Sequence, residues 1–261
     1  MKGRCKLCLT EGVELQASHF LPAAIYKSMR GDPYKGNPNP WEITPNSARQ
    51  TSRQVKAPLL CQECEQRFSK NGERWIFTNG LKNDGTFPLA ATLASRVPFA
   101  QNPGVSTTKI YRAAEIPEIN IFAITYFAAS MFWRGSAHPW KVDGTCPVPL
   151  GPYQEPLRQY LMGITGFPPD IALAVLVREP SGIRHFTHEP LGEWRDELFV
   201  AKFPMPGFAF SISAGKDMPP QLRRCCFVRG EGNPIVLSSL VEKHILDEGV
   251  RMVNSGRQKV F

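Results

Sequence analysis

Cys5-Lys6-Leu7-Cys8, and then Leu59-Leu60-Cys61-Gln62-Glu63-Cys64-Glu65, frame the first part of this chain. Two Cys-x-x-Cys turns supply four sulfurs, and four thiolates in two pairs are the ligand set of a tetrahedral structural zinc site. Between Cys8 and Cys61 lie 52 residues. That is too far for a simple hairpin ribbon, and it leaves room for a strand, a turn and a short helix. Within this interval Ser18-His19-Phe20-Leu21-Pro22 places a histidine just before a proline. A metal at Cys5, Cys8, Cys61 and Cys64 would tie two distant turns together and display His19 between them.

The flanking pattern supports that reading. Val13 to His19 alternates apolar and polar residues, which predicts a strand. Pro22 suits the first turn of a helix over Ala23 to Met29. Gly31 to Pro45 is rich in proline, glycine and asparagine and reads as a loop. A helix is expected from Glu63 to Phe77, with Gly72 interrupting it. Knuckle, strand, histidine turn, second knuckle and helix are the order of a treble-clef zinc finger.

The chain has 261 residues and a net charge of +8, with 42 % hydrophobic and 21 % charged residues. It is long enough for one or two domains. The excess charge concentrates early: residues 1–80 hold 12 Lys/Arg against 7 Asp/Glu. Ser47 to Lys56 carries Arg49, Arg53 and Lys56 with Gln50 and no acid. Such a segment is either a phosphate-contacting loop or a solvated basic one. The most apolar run, Ile119 to Trp133, contains Asn120, Thr125 and Ser130 and predicts a buried core helix, not a membrane span. The sequence opens without a secretory pattern, so a reducing, cytoplasmic setting is expected, with Cys146, Cys225 and Cys226 as buried small hydrophobes.

Beyond about residue 100, helices are predicted over Ile116–Phe132 and Glu155–Met162. Strands are expected over Ile171–Arg178, Leu198–Phe203, Gly207–Ser213 and Arg224–Arg229, and a last amphipathic helix over Leu240–Met252. The expected fold class is α+β: an N-terminal treble-clef (ββα-metal) zinc module over residues 1–80, followed over 100–261 by a mixed region with a mainly antiparallel sheet. The second region would regulate, sense a target or dock a partner.

Over residues 5 to 78 the chain resembles the HNH, or ββα-metal, endonucleases in their zinc-containing form. It is also similar to bacterial proteins carrying Ser-His-x-x-Pro followed by Leu-Leu-Cys-x-x-Cys-Glu-x-x-x-Ser-x-x-x-Glu, which here ends at Ser69 and Glu73. The resemblance implies a divalent-metal-dependent DNA endonuclease, RNA not being excluded, that hydrolyses phosphodiesters with His19 as general base. It implies Mg²⁺ or Mn²⁺ as catalytic ion, a role in bacterial phage defence or restriction, and a partner such as an operon-encoded ATPase. In that family an acid precedes the histidine; Ser18 stands there instead, and Glu65 takes the place of a helix His or Asn. Glu65, Ser69 and Glu73 recur every four residues, as a metal-holding stripe or as a solvated helix face. Arg49, Arg53 and Lys56 would contact phosphates, and Ser18 and Gln50 would orient groups.

Two other readings stand beside it. One is a non-catalytic zinc-stabilised module that binds nucleic acid or protein through a degenerate site. The other places an active site in residues 100–261, at Arg134, His138 and His185. The pair His185/His188 is a weaker metal candidate, and His244 reads as a surface residue of the last amphipathic helix. No phosphate-cradling glycine loop or nucleophile elbow is present, which argues against ATP hydrolysis and serine-esterase chemistry.

Overall fold

The computed structural model describes residues 1–30, 38–44, 47–82, 84, 86–101, 108–140, 144–178 and 189–238. The chain starts with β1 (Lys2–Gly3) and, after the first cysteine turn, β2 (Val13–His19). The short α1 (Ala23–Ser28) starts directly after Pro22, whose ring cannot donate to a preceding turn. Next come β3 (Trp41–Thr44) and β4 (Ser47–Gln50), an antiparallel hairpin. The predicted loop over Gly31–Pro45 therefore contains a strand; its residues 31–37 and 45 lie outside the described ones. β5 (Lys56–Cys61) then pairs antiparallel with β2, giving the sheet order β1-β2-β5.

A helical run follows the second cysteine pair: α2 (Gln62–Phe68), then π-helical turns over Ser69–Glu73 and Ile76–Gly80. Gly72 does not interrupt this run. It lies at the point of closest approach to the next long helix, where a Cβ would stand 2.9 Å from the Phe127 main chain. The widened turns, with their i→i+5 bonds, carry the backbone past that contact without a break.

The second region adds α3 (Pro88–Ala94), β6 (Ala100–Gln101), β7 (Lys109–Arg112), α4 (Ile121–Ala137) and α5 (Gln154–Met162). It continues with β8 (Ile171–Arg178), β9 (Leu191–Arg195), β10 (Leu198–Met205), β11 (Phe208–Ala214), α6 (Pro220–Arg224) and β12 (Pro234–Ser238). Among the described residues the sheet order is β6-β7-β12-β8-β11-β10-β9, antiparallel throughout except for the parallel pair β12–β8. The α+β class and the mainly antiparallel sheet are as expected. The predicted strand Arg224–Arg229 is instead the end of α6 and a tight turn. The predicted helix Leu240–Met252 lies outside the described residues.

The apolar run around Ile119 folds as α4, which is buried on every side from Ala123 to Ser136. Helices that are apolar all round sit in a core and do not cover one. Asn120 caps its start by accepting the Ala123 N–H at 2.9 Å. The hydroxyls of Thr125, Ser130 and Ser136 bond to carbonyls of the preceding turn, so none is buried without a partner. Phe127 shows the layering. It meets Phe77 of the helical run behind the second cysteine pair at 5.9 Å and, on its other flank, Phe203 and Phe210 of the sheet at 6.5 and 5.8 Å. One core thus contains residues from both the 1–80 and the 100–261 stretches. No described helix is long and apolar enough to cross a membrane.

Candidate metal centre and histidine site

The Sγ atoms of Cys5, Cys8, Cys61 and Cys64 all lie within 4.8 Å of one another. Tetrahedral zinc with bonds of about 2.3 Å requires sulfurs about 3.8 Å apart, and Cys8 and Cys61 are at 3.9 Å. The four cysteines can hold a metal such as zinc. The first turn is shaped by Cys5, whose N–H donates to Thr10 O at 3.0 Å while its carbonyl accepts from Leu9 N–H at 2.9 Å. Leu9 adopts φ 64° to close it. The second turn opens α2, and the Cys61 N–H donates to Cys5 Sγ at 3.4 Å, a bond that favours thiolate.

By protein groups alone, Cys5 is drawn down to about 4, mainly by the hydrogen bond from Cys64, while Cys64 is pushed up as the donor of that bond. Burial raises Cys61. Packed thiols sharing protons in this way release them to a cation, which makes metal binding proton-linked. Of the chain's other cysteines, Cys226 is buried as expected, while Cys146 is half-buried and Cys225 is exposed.

His19 ends β2, half-buried, with its Nε2 2.6 Å from Gln54 Oε1. Its register partner on β5 is Lys56, which is exposed. Alternation along a strand puts Ser18 on the opposite face. There Ser18 is buried, and its hydroxyl accepts the Leu60 N–H at 3.2 Å. The reason is a register shift between Gln16 and Ala17, where Leu59 is extra in β5 and leaves its neighbour's amide without a ladder partner. The Ser18 hydroxyl closes that gap in the ladder and faces away from His19.

The acidic stripe divides. Glu65 is half-buried, and its Oε1 is shielded from solvent with no hydrogen-bond partner. Glu73 reaches α4, where its Oε1 accepts from Arg134 Nη2 at 2.7 Å. Ser69 lies between them in the first π-helical turn. Arg49 lies on β4 opposite Glu42. Gln50 is exposed and donates to Asn39 O at 3.3 Å. Arg53 is exposed, its N–H donating to Thr51 Oγ1 at 3.0 Å. The segment that carries Arg53 and Lys56 therefore runs beside His19.

Two residues offered as an alternative active site have packing partners. Arg134 lies over the Phe68 ring at 4.7 Å and binds Glu73. His138 meets the Trp140 ring edge-on at 4.8 Å, and burial together with the nearby Lys6 lowers its pKa. His185, His188 and His244 lie outside the described residues. The sequence reading missed Gln54. Only its place in the basic segment, two residues before Lys56, could have pointed to it. Compared with protein-family models, curated proteins and solved structures, the chain finds no match.

Proposed function

We propose that this protein is a divalent-metal-dependent, HNH-like DNA endonuclease whose Cys5/Cys8/Cys61/Cys64 site holds structural Zn²⁺. The observation that carries the reading is the placement of His19. It sits at the strand end beside a basic segment, on a sheet whose last strand passes into the helix through a cluster of four cysteines able to hold a metal. His19 accepts a proton from a water that attacks the scissile phosphate, a task suited to a side chain that titrates near neutrality. Arg49, Arg53 and Lys56 neutralise backbone phosphates, with Gln50 beside them.

Glu65 offers a carboxylate oxygen without a protein partner, the donor type a hard cation selects. Glu73, engaged by Arg134, is the weaker donor. A bound Mg²⁺ or Mn²⁺ would stabilise charge on the phosphate. The setting proposed is the bacterial cytoplasm, in restriction or phage defence, with a protein partner such as an ATPase.

The test is cleavage of supercoiled plasmid with Mg²⁺, with Mn²⁺ and without metal, wild type beside His19→Ala. Loss of a general base lowers the rate by about 10²- to 10⁴-fold. Intact plasmid under every cation, with and without the partner, would sink the endonuclease reading. The packed, ladder-bound Ser18 favours a second reading, a zinc-stabilised nucleic-acid binder with a degenerate site. It predicts salt-sensitive binding that His19→Ala leaves unchanged.

A further inference from the structure

We infer that Gln54 is a positioning residue that fixes the His19 imidazole as its Nε2–H tautomer, so that Nδ1 is the atom free to take a proton. This rests on the reading of His19 as a base, but the pairing itself stands on geometry. A carboxamide oxygen can only accept, so the ring nitrogen 2.6 Å from Gln54 Oε1 must carry the hydrogen. In neutral imidazole the other nitrogen is then the acceptor.

The main chain next to Gln54 is held in place. Its neighbour Val55 is held on both sides of the main chain: its N–H donates to Tyr26 Oη at 3.4 Å, and its carbonyl accepts from Phe20 N–H at 2.9 Å. Phe20 is itself buried and stacked on Trp140 at 4.8 Å with the rings 5° from parallel. The chain on both sides of the histidine–glutamine contact is thus tied to the core, and His19 follows Gln54. The same residue lies immediately after Arg53 in the basic segment. Contacts of that segment with a phosphate backbone would therefore act next to the group that orients the ring.

The test is a long-range ¹H–¹⁵N correlation spectrum of the full-length, zinc-loaded protein at a pH where His19 is neutral, its signals assigned by their absence in His19→Ala. Wild type should show the Nε2–H tautomer with a ring N–H slow enough in exchange to be observed. Gln54→Leu, which keeps the bulk and removes the acceptor, should lose that N–H signal, while Gln54→Glu should retain it. Gln54→Ser replaces the leucine variant if the latter fails to take up zinc. An Nδ1–H ring in wild type, or an N–H signal that persists in the leucine or serine variant, overturns the inference. These spectra do not depend on cleavage. Intact plasmid with the expected spectra would therefore count against the endonuclease reading alone.

Discussion

The Arg134 guanidinium donates to Glu73 at 2.7 Å while lying 4.7 Å above the Phe68 ring, so a single cation joins α4 to the helical run behind the second cysteine turn. Its side chain is 3 % exposed and that of Glu73 is 21 %. Charges this deep lose hydration that only a partner restores. Arg134→Met or Glu73→Gln alone should destabilise the fold by about 3–5 kcal/mol. The double variant should recover much of that loss, which a denaturation double-mutant cycle would measure. Equal and additive losses would show that the two residues do not act as a pair.

Ser18 directly precedes His19, yet its hydroxyl satisfies the Leu60 amide inside the sheet. Ser18→Ala should cost about 1–3 kcal/mol by leaving that N–H unpaired, as read from urea unfolding. Mg²⁺ or Mn²⁺ affinity measured by calorimetry should not change. A drop in affinity would return Ser18 to the metal site.

The cysteine cluster predicts about one zinc per chain, quantified by elemental analysis. Cys64→Ser or a strong chelator should lower Tm by more than about 10 °C, because structural zinc contributes to folding directly. A melting curve indifferent to both treatments would remove the metal from the account of stability.

His138 gives the pH dependence a sign. Burial and Lys6 hold its folded pKa below the ordinary histidine value. As pH falls through about 6.5 the unfolded chain takes up the proton more readily than the folded one. Stability therefore declines across the window from that value down to the lower folded pKa. His138→Gln should flatten this part of the Tm-against-pH curve, and an unchanged slope would assign the decline to other groups.

How far the sequence was readable depends on how local each determinant is. Strands β2 and β8 fall on the predicted residues, because period-two alternation and an unbroken apolar run are local signals. The four cysteines were readable by spacing alone, and their sulfurs do converge. The Arg224–Arg229 stretch looked like a strand because Cys225 to Val228 is apolar. In the fold only Phe227 reaches over, its N–H donating to Leu173 O at 2.6 Å. Gly230 then allows a turn so tight that a Cβ would lie 2.3 Å from the Arg224 carbonyl oxygen. β7 and β12 are short and pair across more than 120 residues, so nothing nearby announces them. The β3–β4 hairpin was hidden by flanking prolines. At the site, Gln54 and the pairing of Arg134 with Glu73 became visible only through partners 35 and 61 residues away.

The cysteine-bearing N-terminal fold is fastened to the rest of the chain at its own backbone. Arg158 of α5 donates to the Leu7 carbonyl inside the first cysteine turn, and Arg67 of α2 donates to the Met162 carbonyl. Fingers strung on flexible linkers can be cut out, duplicated and shuffled as independent units. Here such an excision would strip the knuckle of its external brace and bare the apolar surface that α4 covers. In evolution and in engineering alike, this finger should travel only together with the sheet it is built against.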